Sequence, residues 1–460
     1  MTLITPELLT RFDIPGPRYT SYPTADRFVE AFTTADYIQA LEQRRVAIAA
    51  RTKPLSLYVH IPFCESLCYY CACNKIITKH PERATSYLDY LTREVALHVA
   101  HLGAGQMVSQ LHLGGGTPTF LKDAELVLLM DMLKRNFQIA PGGEYSIEVD
   151  PRTVDEKRLA FLAQLGFNRL SFGVQDFDPE VQAAVHRIQP AQQVFDLVAQ
   201  ARKIGFESIN VDLIYGLPKQ TPASFDRTLA QINELRPDRI ALYAYAHLPA
   251  RFKPQRRIHS ADLPLPGEKV SMLAQSLAAL QDAGYVYVGM DHFALPDDAL
   301  AVAKRQGRLH RNFQGYSTQP DCDLIALGVS AIGRVGTTYS QNAKTMSEYC
   351  DAIDQGQLPV VRGLSLSRDD LIRRAVIMAL MCQGHLHFES INLAWLIDCK
   401  SYFKAELARL ADMQVQGLVE LSDTGITVTP MGWFFVRGVA MTFDRYVQSD
   451  ANRTRFSKII

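Results

Sequence analysis

The sequence predicts an α/β protein: a partial (β/α)6-type barrel preceded by an N-terminal arm and followed by a mostly helical, winged-helix-like C-terminal domain. Three observations carry this. Strand-like and helix-like patterns alternate from Leu55 to about Met290. Three of the joins between them share one design, and the pattern changes character after residue 364. The domain boundaries follow as 1–54, 55–364, with an extension of the sheet at its C-terminal end, and 365–460.

In chain order, residues 1–54 contain Pro15-Gly16-Pro17 and Tyr22-Pro23, which restrict the backbone, so much of this arm is expected to be extended and to lie over the barrel opening. Apolar strand-like runs follow at Leu55–Ile61, Val108–Leu113, Tyr145–Val149, Arg169–Val174, Ile209–Ile214, Arg239–Tyr245 and Tyr285–Met290. Between them Leu88, Leu91, Val95 and Val99 form one helical stripe, and Val194, Leu197, Val198 and Ala201 another. Leu165-Gly166-Phe167, Ile204-Gly205-Phe206 and Ala283-Gly284-Tyr285 each end a helix on glycine and place an aromatic before a strand. Glycine suits the left-handed position after a helix, and the aromatic can pack back on it. Repeating units of this kind argue for parallel strands with helices outside, and functional groups then belong at the C-terminal strand ends. Beyond residue 364, helices at Arg368–Met381 and Ser401–Gln416 lead to Leu418–Leu421, a turn at 422–425 and Ile426–Thr429. The helix before that hairpin mixes Lys404, Glu406, Arg409 and Asp412, which suits packing or a lid rather than DNA.

Composition narrows the functional classes. Lys+Arg and Asp+Glu both number 48, so no basic surplus points to nucleic acid. The longest apolar run is eight residues, Ala375–Cys382, too short to span a membrane, and the N-terminus lacks the pattern of a secretory signal. A cytoplasmic protein is the expectation. Of eight cysteines, Cys322, Cys350, Cys382 and Cys399 are dispersed and read as buried packing thiols. The other four, Cys64, Cys68, Cys71 and Cys73, cluster directly after the first strand.

Cys64-Glu65-Ser66-Leu67-Cys68-Tyr69-Tyr70-Cys71 spells C-x3-C-x2-C. Three thiolates on one tight loop suit a [4Fe–4S] cube with one iron left to a non-protein ligand. Zinc is the alternative, but its closed sites favour paired knuckles and a second ligand pair, which is not evident here. Cys73, two residues past Cys71, is poorly placed to reach another corner of the same cube.

This spacing is the signature of the radical S-adenosylmethionine superfamily. The chain further resembles the oxygen-independent coproporphyrinogen III oxidase family. The resemblance is carried by Pro17–Pro23, Tyr58–Cys64, Cys71-Ala72-Cys73, Gly114–Pro118, Glu148–Pro151, Gly173–Asp176, Asp212–Pro218 and Gly289–Phe293, in register from about Pro15 to the C-terminus. It implies a cluster held by Cys64, Cys68 and Cys71 and two S-adenosylmethionine molecules. Tyr58, Gly115, Glu148 and Ile332 are implied on the cluster-bound one, and Tyr70, Gly116, Thr117, Gln175, Arg187, Asp212 and Ala246 on the second. Gly114-Gly115-Gly116 also reads, from its place after the second strand, as backbone that a ligand can approach closely.

The implied reaction is hydrogen-atom abstraction from the propionates on rings A and B of coproporphyrinogen III, followed by loss of carbon dioxide to leave vinyl groups. An electron donor and an acceptor, both unidentified, are required as partners, and a monomer is expected. Arg18, Arg187 and Arg311 are candidates for the propionate carboxylates, since a guanidinium fork matches carboxylate geometry. Two rivals exist within the superfamily, a haem chaperone and a haem-cleaving methyltransferase. The chaperone's His-Asn-x-x-Tyr-Trp motif is replaced here by Arg311-Asn312-Phe313-Gln314-Gly315-Tyr316.

Overall fold

The computed structural model describes residues 8, 11, 12, 14–47 and 53–448. Its centre is a twelve-stranded sheet. Six strands run parallel and side by side in chain order: β1 (Leu55–Ile61), β2 (Gln106–Gly115), β3 (Phe137–Val149), β4 (Arg169–Gln175), β5 (Ser208–Tyr215) and β6 (Arg239–Ala244). Each contains the run expected from sequence, extended or trimmed by a few residues. Helices between them bury the expected stripes, with Leu88, Leu91 and Val95 buried and Val99 partly so. Leu57, Leu111, Ile147, Leu170, Val211 and Ile240 belong to one continuous core against those helices.

The three matching joins are built alike. Gly166, Gly205 and Gly284 have φ of 106°, 101° and 88°. The N–H of the following Phe167, Phe206 and Tyr285 reaches back five residues, to the carbonyls of Leu162, Ala201 and Leu280, at 3.2, 3.1 and 2.9 Å. All three aromatics are buried. The hydrogen bond closes the helix end while the ring turns inward, and the chain then enters the next strand.

The seventh run departs from the parallel series. β7 (Val286–Gly289) and β8 (His292–Ala294) form a hairpin, and it is β8 that pairs with β6, antiparallel. Met290 and Asp291 between them both have positive φ, 44° and 67°, the conformation that suits a two-residue hairpin turn. On the opposite edge β9 (Asp323–Leu327) lies parallel to β1, followed by antiparallel β10 (Ile332–Val335), β11 (Thr338–Asn342) and β12 (Val360–Ser365). These short strands extend the sheet beyond the six expected units.

The arm is partly extended and partly helical. Thr34–Val46 is a helix that buries Tyr37, Ala40 and Leu41 on the main core, so the expectation of an arm with little helix fails there. Ahead of it, Tyr19 and Tyr22 are wholly buried in a second core made with the C-terminal domain. The Tyr19 hydroxyl donates to Asp444 at 2.9 Å, and Arg437 Nε donates to the Pro17 carbonyl at 3.1 Å. The C-terminal domain has the expected helix at Arg368–Gln383, while the second splits into Cys399–Tyr402 and Lys404–Val415. Its hairpin, Val419–Leu421 with Gly425–Val428, is joined by a third strand, His385–His387, whose exposed histidines hid it from an apolar search. Cys322, Cys382 and Cys399 are buried as expected, whereas Cys350 is only half-buried against the main core.

Gly205 has nothing within 4 Å of where a Cβ would stand, so Gly205→Ala isolates the left-handed backbone requirement. It should cost roughly 1–2 kcal/mol and lower the urea midpoint without changing its slope.

Candidate active site

The cysteine loop leaves the end of β1 and returns beside it. Phe63–Cys64 pairs in parallel with Ile76–Ile77, with Ile76 N–H on the Pro62 carbonyl at 2.7 Å and Thr78 N–H on the Cys64 carbonyl at 3.0 Å. The loop is thereby tied at both feet. Cys68 is buried, Cys64 and Cys71 are half-buried, and Cys73 is exposed. Each of the first three has a donor of its own kind. The Thr117 hydroxyl donates to Cys64 Sγ at 3.3 Å. Arg187 and Arg152 approach Cys68 Sγ at 3.5 and 3.8 Å, and Asp150 links the two guanidiniums at 3.2 and 2.7 Å. A hydrogen bond from the Cys73 thiol, helped by Lys75 and opposed by burial, holds Cys71 down to about 6. Burial pushes the Cys64 thiol up to about 11 against the pull of Thr117.

This donor set fits a cube better than a single ion. Among the described residues no three His, Cys, Asp or Glu side chains converge as ligands of one ion do, whereas a cube takes one thiolate at each corner iron. Hydroxyl and guanidinium donors around the sulfurs suit an anionic cluster, because hydrogen bonds to sulfur stabilise its charge.

Gly114-Gly115-Gly116 ends β2 directly against this loop. A Cβ on Gly114 would stand 2.9 Å from the Glu148 carboxylate, one on Gly115 2.5 Å from the His60 ring, and one on Gly116 2.7 Å from the Pro62 backbone. The glycines therefore make room for protein groups as well as ligand. Gly116 and Thr117 N–H donate to the carbonyls of Ile61 and Phe63, both at 2.8 Å. Gly115 N–H donates to Glu148 Oε2 at 3.1 Å.

Two cavities meet at this point. One, of about 280 Å³, is lined by Cys64, Cys68, Cys71, Tyr70, Gly115, Gly116, Thr117, Glu148, Gln175, Arg187 and Asp212. The other, of about 440 Å³, is lined by Tyr58, Gly115, Glu148 and Ile332 together with Arg18 and Arg311. Cys73, Gly115, Glu148 and Tyr243 line both. The residues implied for the second S-adenosylmethionine thus lie beside the thiols. Those implied for the cluster-bound one extend from the junction into the larger cavity. Ala246, two residues past β6, lines neither cavity. Gln175 holds φ at 72°, left-handed for a non-glycine residue, and its strand bulges there.

The carboxylates differ in state. Burial pushes Glu148 up, but the hydrogen bond and charge of His112, at 3.3 Å, and the Gly115 N–H outweigh it and hold the group low. Its side chain remains 42% accessible through the cavities. Asp212 is pushed up to about 7 by burial and by the Glu148 charge, against hydrogen bonds from Asn210 and Ser171. One carboxylate is thus kept ionised and its neighbour poised near neutrality.

Arg18 pairs with Asp291 at 3.3 Å and stacks on Tyr243 at 5.2 Å. Arg311 donates to the Arg18 carbonyl at 3.3 Å and stacks on Tyr316 at 4.5 Å, with Nη1 left without a partner. Arg18 and Thr20, from the arm, line the larger cavity. Sequence reasoning gave no role to His60, His112, Asp150, Arg152, Tyr243 and His292, although His60, Asp150 and His292 fall within the motifs that carry the resemblance. His60 Nε2 donates to the Asn74 carbonyl at 2.9 Å and Nδ1 accepts from the Tyr58 hydroxyl at 3.0 Å, which joins β1 to the cysteine loop. For His60, His112, Tyr243 and His292 the signal was strand alternation toward one face, visible only once the strands are in register, whereas Asp150 and Arg152 lie in the turn just past β3.

Cys64→Ser, Cys68→Ser and Cys71→Ser should each abolish cluster absorbance and bound iron after anaerobic reconstitution, while Cys73→Ser should retain both. Iron and sulfide content, read beside the visible spectrum, checks the ligand set.

Comparison with known proteins accords with this geometry. Residues 58–232 match the radical SAM superfamily and residues 366–435 the HemN C-terminal domain. The oxygen-independent coproporphyrinogen III oxidase of Pseudomonas aeruginosa is 50% identical over 456 residues, covering 99% of this chain and 98% of the relative. That of Escherichia coli K12 is 49% identical over 453 residues, 98% of each. The solved structure of coproporphyrinogen III oxidase (HemN) from Escherichia coli, described as a radical SAM enzyme, superposes with a TM-score of 0.91 at 48% identity, over 97% of this chain and 100% of that one. Among the described residues no helix is long and apolar enough to cross a membrane. The superfamily's [4Fe–4S] cluster and S-adenosylmethionine are the cofactors that the thiol cavity fits. The chain is a radical SAM enzyme and belongs to the oxygen-independent coproporphyrinogen III oxidase family.

Proposed function

We propose that this enzyme converts the ring A and B propionates of coproporphyrinogen III to vinyl groups, giving protoporphyrinogen IX, with two S-adenosylmethionine molecules held at the meeting of its two cavities. The observation that supports this most is that meeting: a cavity lined by three thiols opens, past Gly115 and Glu148, onto one that carries Arg18 and Arg311. When bound, the cluster and S-adenosylmethionine supply a 5′-deoxyadenosyl radical able to take a hydrogen atom from a propionate β-carbon.

The chain's own residues bind, orient and shield. Glu148, kept ionised, can accept from the ammonium of a methionine moiety, and Gly114–Gly116 let that moiety approach the backbone. Tyr58, fixed by its bond to His60 and stacked on His112 at 6.0 Å, walls the larger cavity beside Ile332. Thr117, Tyr70, Gln175, Arg187 and Asp212 surround the thiols, where a partly protonated Asp212 can share hydrogen bonds with ribose hydroxyls. Arg18 and Arg311 face the porphyrinogen carboxylates. The arm that carries Arg18 is anchored in the C-terminal core by Tyr19 and Tyr22, so it covers the cavity as a fixed wall. An external one-electron donor reduces the cluster, and an external acceptor takes the electron released with each carbon dioxide.

The test is an anaerobic assay with dithionite, S-adenosylmethionine and coproporphyrinogen III, read by product mass. Unchanged substrate would exclude this function, and stoichiometric haem binding in its place would favour the chaperone. Two 5′-deoxyadenosines are expected per protoporphyrinogen, and quantifying both by chromatography checks the count. Arg18→Ala and Arg311→Ala should each raise KM for coproporphyrinogen roughly 10- to 100-fold, the loss of a charged hydrogen bond, while S-adenosylmethionine cleavage without substrate persists.

A further inference from the structure

We propose that His292 is a substrate-recognition residue, its Nε2 accepting a pyrrole N–H of the porphyrinogen between two guanidiniums that bind propionates. The inference rests on the larger cavity being the porphyrinogen site. His292 begins β8, just past the tight turn at Met290-Asp291, and lines that cavity. Its Nδ1 lies 2.6 Å from the Met290 carbonyl. A carbonyl only accepts, so Nδ1 carries the proton, and the neutral ring presents Nε2 as a lone-pair acceptor. Nε2 has no hydrogen-bond partner among the described residues.

The ring cannot easily become a donor at that atom. Burial and the positive charge of Arg311, Arg18 and Arg239 push its pKa down to about 3, against the Met290 hydrogen bond. Its plane is set from both sides, by Tyr243 at 6.0 Å and 88° and by Tyr316 at 5.6 Å and 89°. Each of those rings carries one of the cavity's arginines, Arg18 on Tyr243 and Arg311 on Tyr316. The order Arg18, Tyr243, His292, Tyr316, Arg311 places a fixed acceptor between two carboxylate receptors. A porphyrinogen presents the complement, pyrrole N–H donors inside a periphery of carboxylates. An acceptor that stays neutral rewards N–H and repels an imine nitrogen, so His292 selects the reduced macrocycle over ligands that share only its propionates.

The test compares cluster-loaded wild-type enzyme with His292→Phe and His292→Gln under anaerobic conditions. KM is measured for coproporphyrinogen III, and Ki for palladium(II) coproporphyrin III, which keeps the four propionates, has no pyrrole N–H and, being square-planar, takes no axial imidazole. His292→Phe is expected to raise KM roughly tenfold, one lost hydrogen bond, with Ki for the palladium complex changed less than about twofold. His292→Gln, whose amide oxygen can accept, should recover part of the KM. Iron content and the visible spectrum are read in both variants, so that each constant refers to cluster-loaded enzyme. An unchanged KM, or KM and Ki rising together, would overturn the proposal. Should His292→Phe fail to take up the cluster, His292→Leu is read by the same two constants. Wild-type enzyme that makes no vinyl product removes the functional reading itself, whereas an active wild type with an indifferent His292 removes only this inference.

Discussion

The active face depends on how closely the end of β2 can approach the end of β1. Their parallel register sets Ile61 opposite Gly115, and at that point a single Cβ would stand 2.5 Å from the His60 ring. Glycine is required there twice over, by the close approach and by a φ of 113°. Because the strands can close to that distance, Gly116 and Thr117 bind the base of the cysteine loop, and Gly115 reaches Glu148 at the end of β3. Three consecutive strand ends are thereby joined into one surface, with the thiols on one side of Gly115 and Tyr58 on the other. A side chain at Gly115 would displace the His60 ring and with it the bonds to Tyr58 and the Asn74 carbonyl.

Charge around that surface is arranged in layers. Asp150 sits behind Arg187 and Arg152, and those two guanidiniums stand behind Cys68. Buried charges that are paired and hydrogen-bonded in this way hold their geometry, because removing one partner leaves the other desolvated. Glu148 and Asp212 face the same space in different states, since one is supported by His112 and a backbone N–H while the other feels its neighbour's charge. Two carboxylates pushed apart in this way can serve different groups of one ligand set.

The larger cavity is closed by elements far apart in sequence. Residues 16–22 run between the barrel and the C-terminal domain, where Arg437 binds the Pro17 carbonyl and Asp444 receives the Tyr19 hydroxyl. Arg18, lying between these buried anchors, is directed to Asp291 and Tyr243 at the cavity wall. The C-terminal domain therefore serves the site indirectly. It fixes the arm, and the arm presents the cation.

The six parallel strands, the αβ joins and the cysteine loop were legible because each is local. Period-two and period-3.6 patterns, glycine after a helix and C-x3-C-x2-C are written within a few residues, and backbone stereochemistry interprets them directly. The strands of 323–365 were legible only as an extension of the sheet, since runs of four to six residues hold too few periods to fix their bounds, and His385–His387 was not, because its two exposed histidines carry no apolar signature. Nor was the insertion of antiparallel β8 between β6 and β7, which the turn at Met290-Asp291 brings about after a run that reads like any other strand. By itself the sequence determined which thiols could share a cluster and which family's chemistry the motifs resemble. Only the tertiary structure brought His60, His112, Tyr243 and His292 to one cavity wall and set the His292 imidazole between the rings that carry Arg18 and Arg311. These residues are separated by up to hundreds of positions, and what unites them is sheet register and the packing of two cores, neither of which is a property of any local segment.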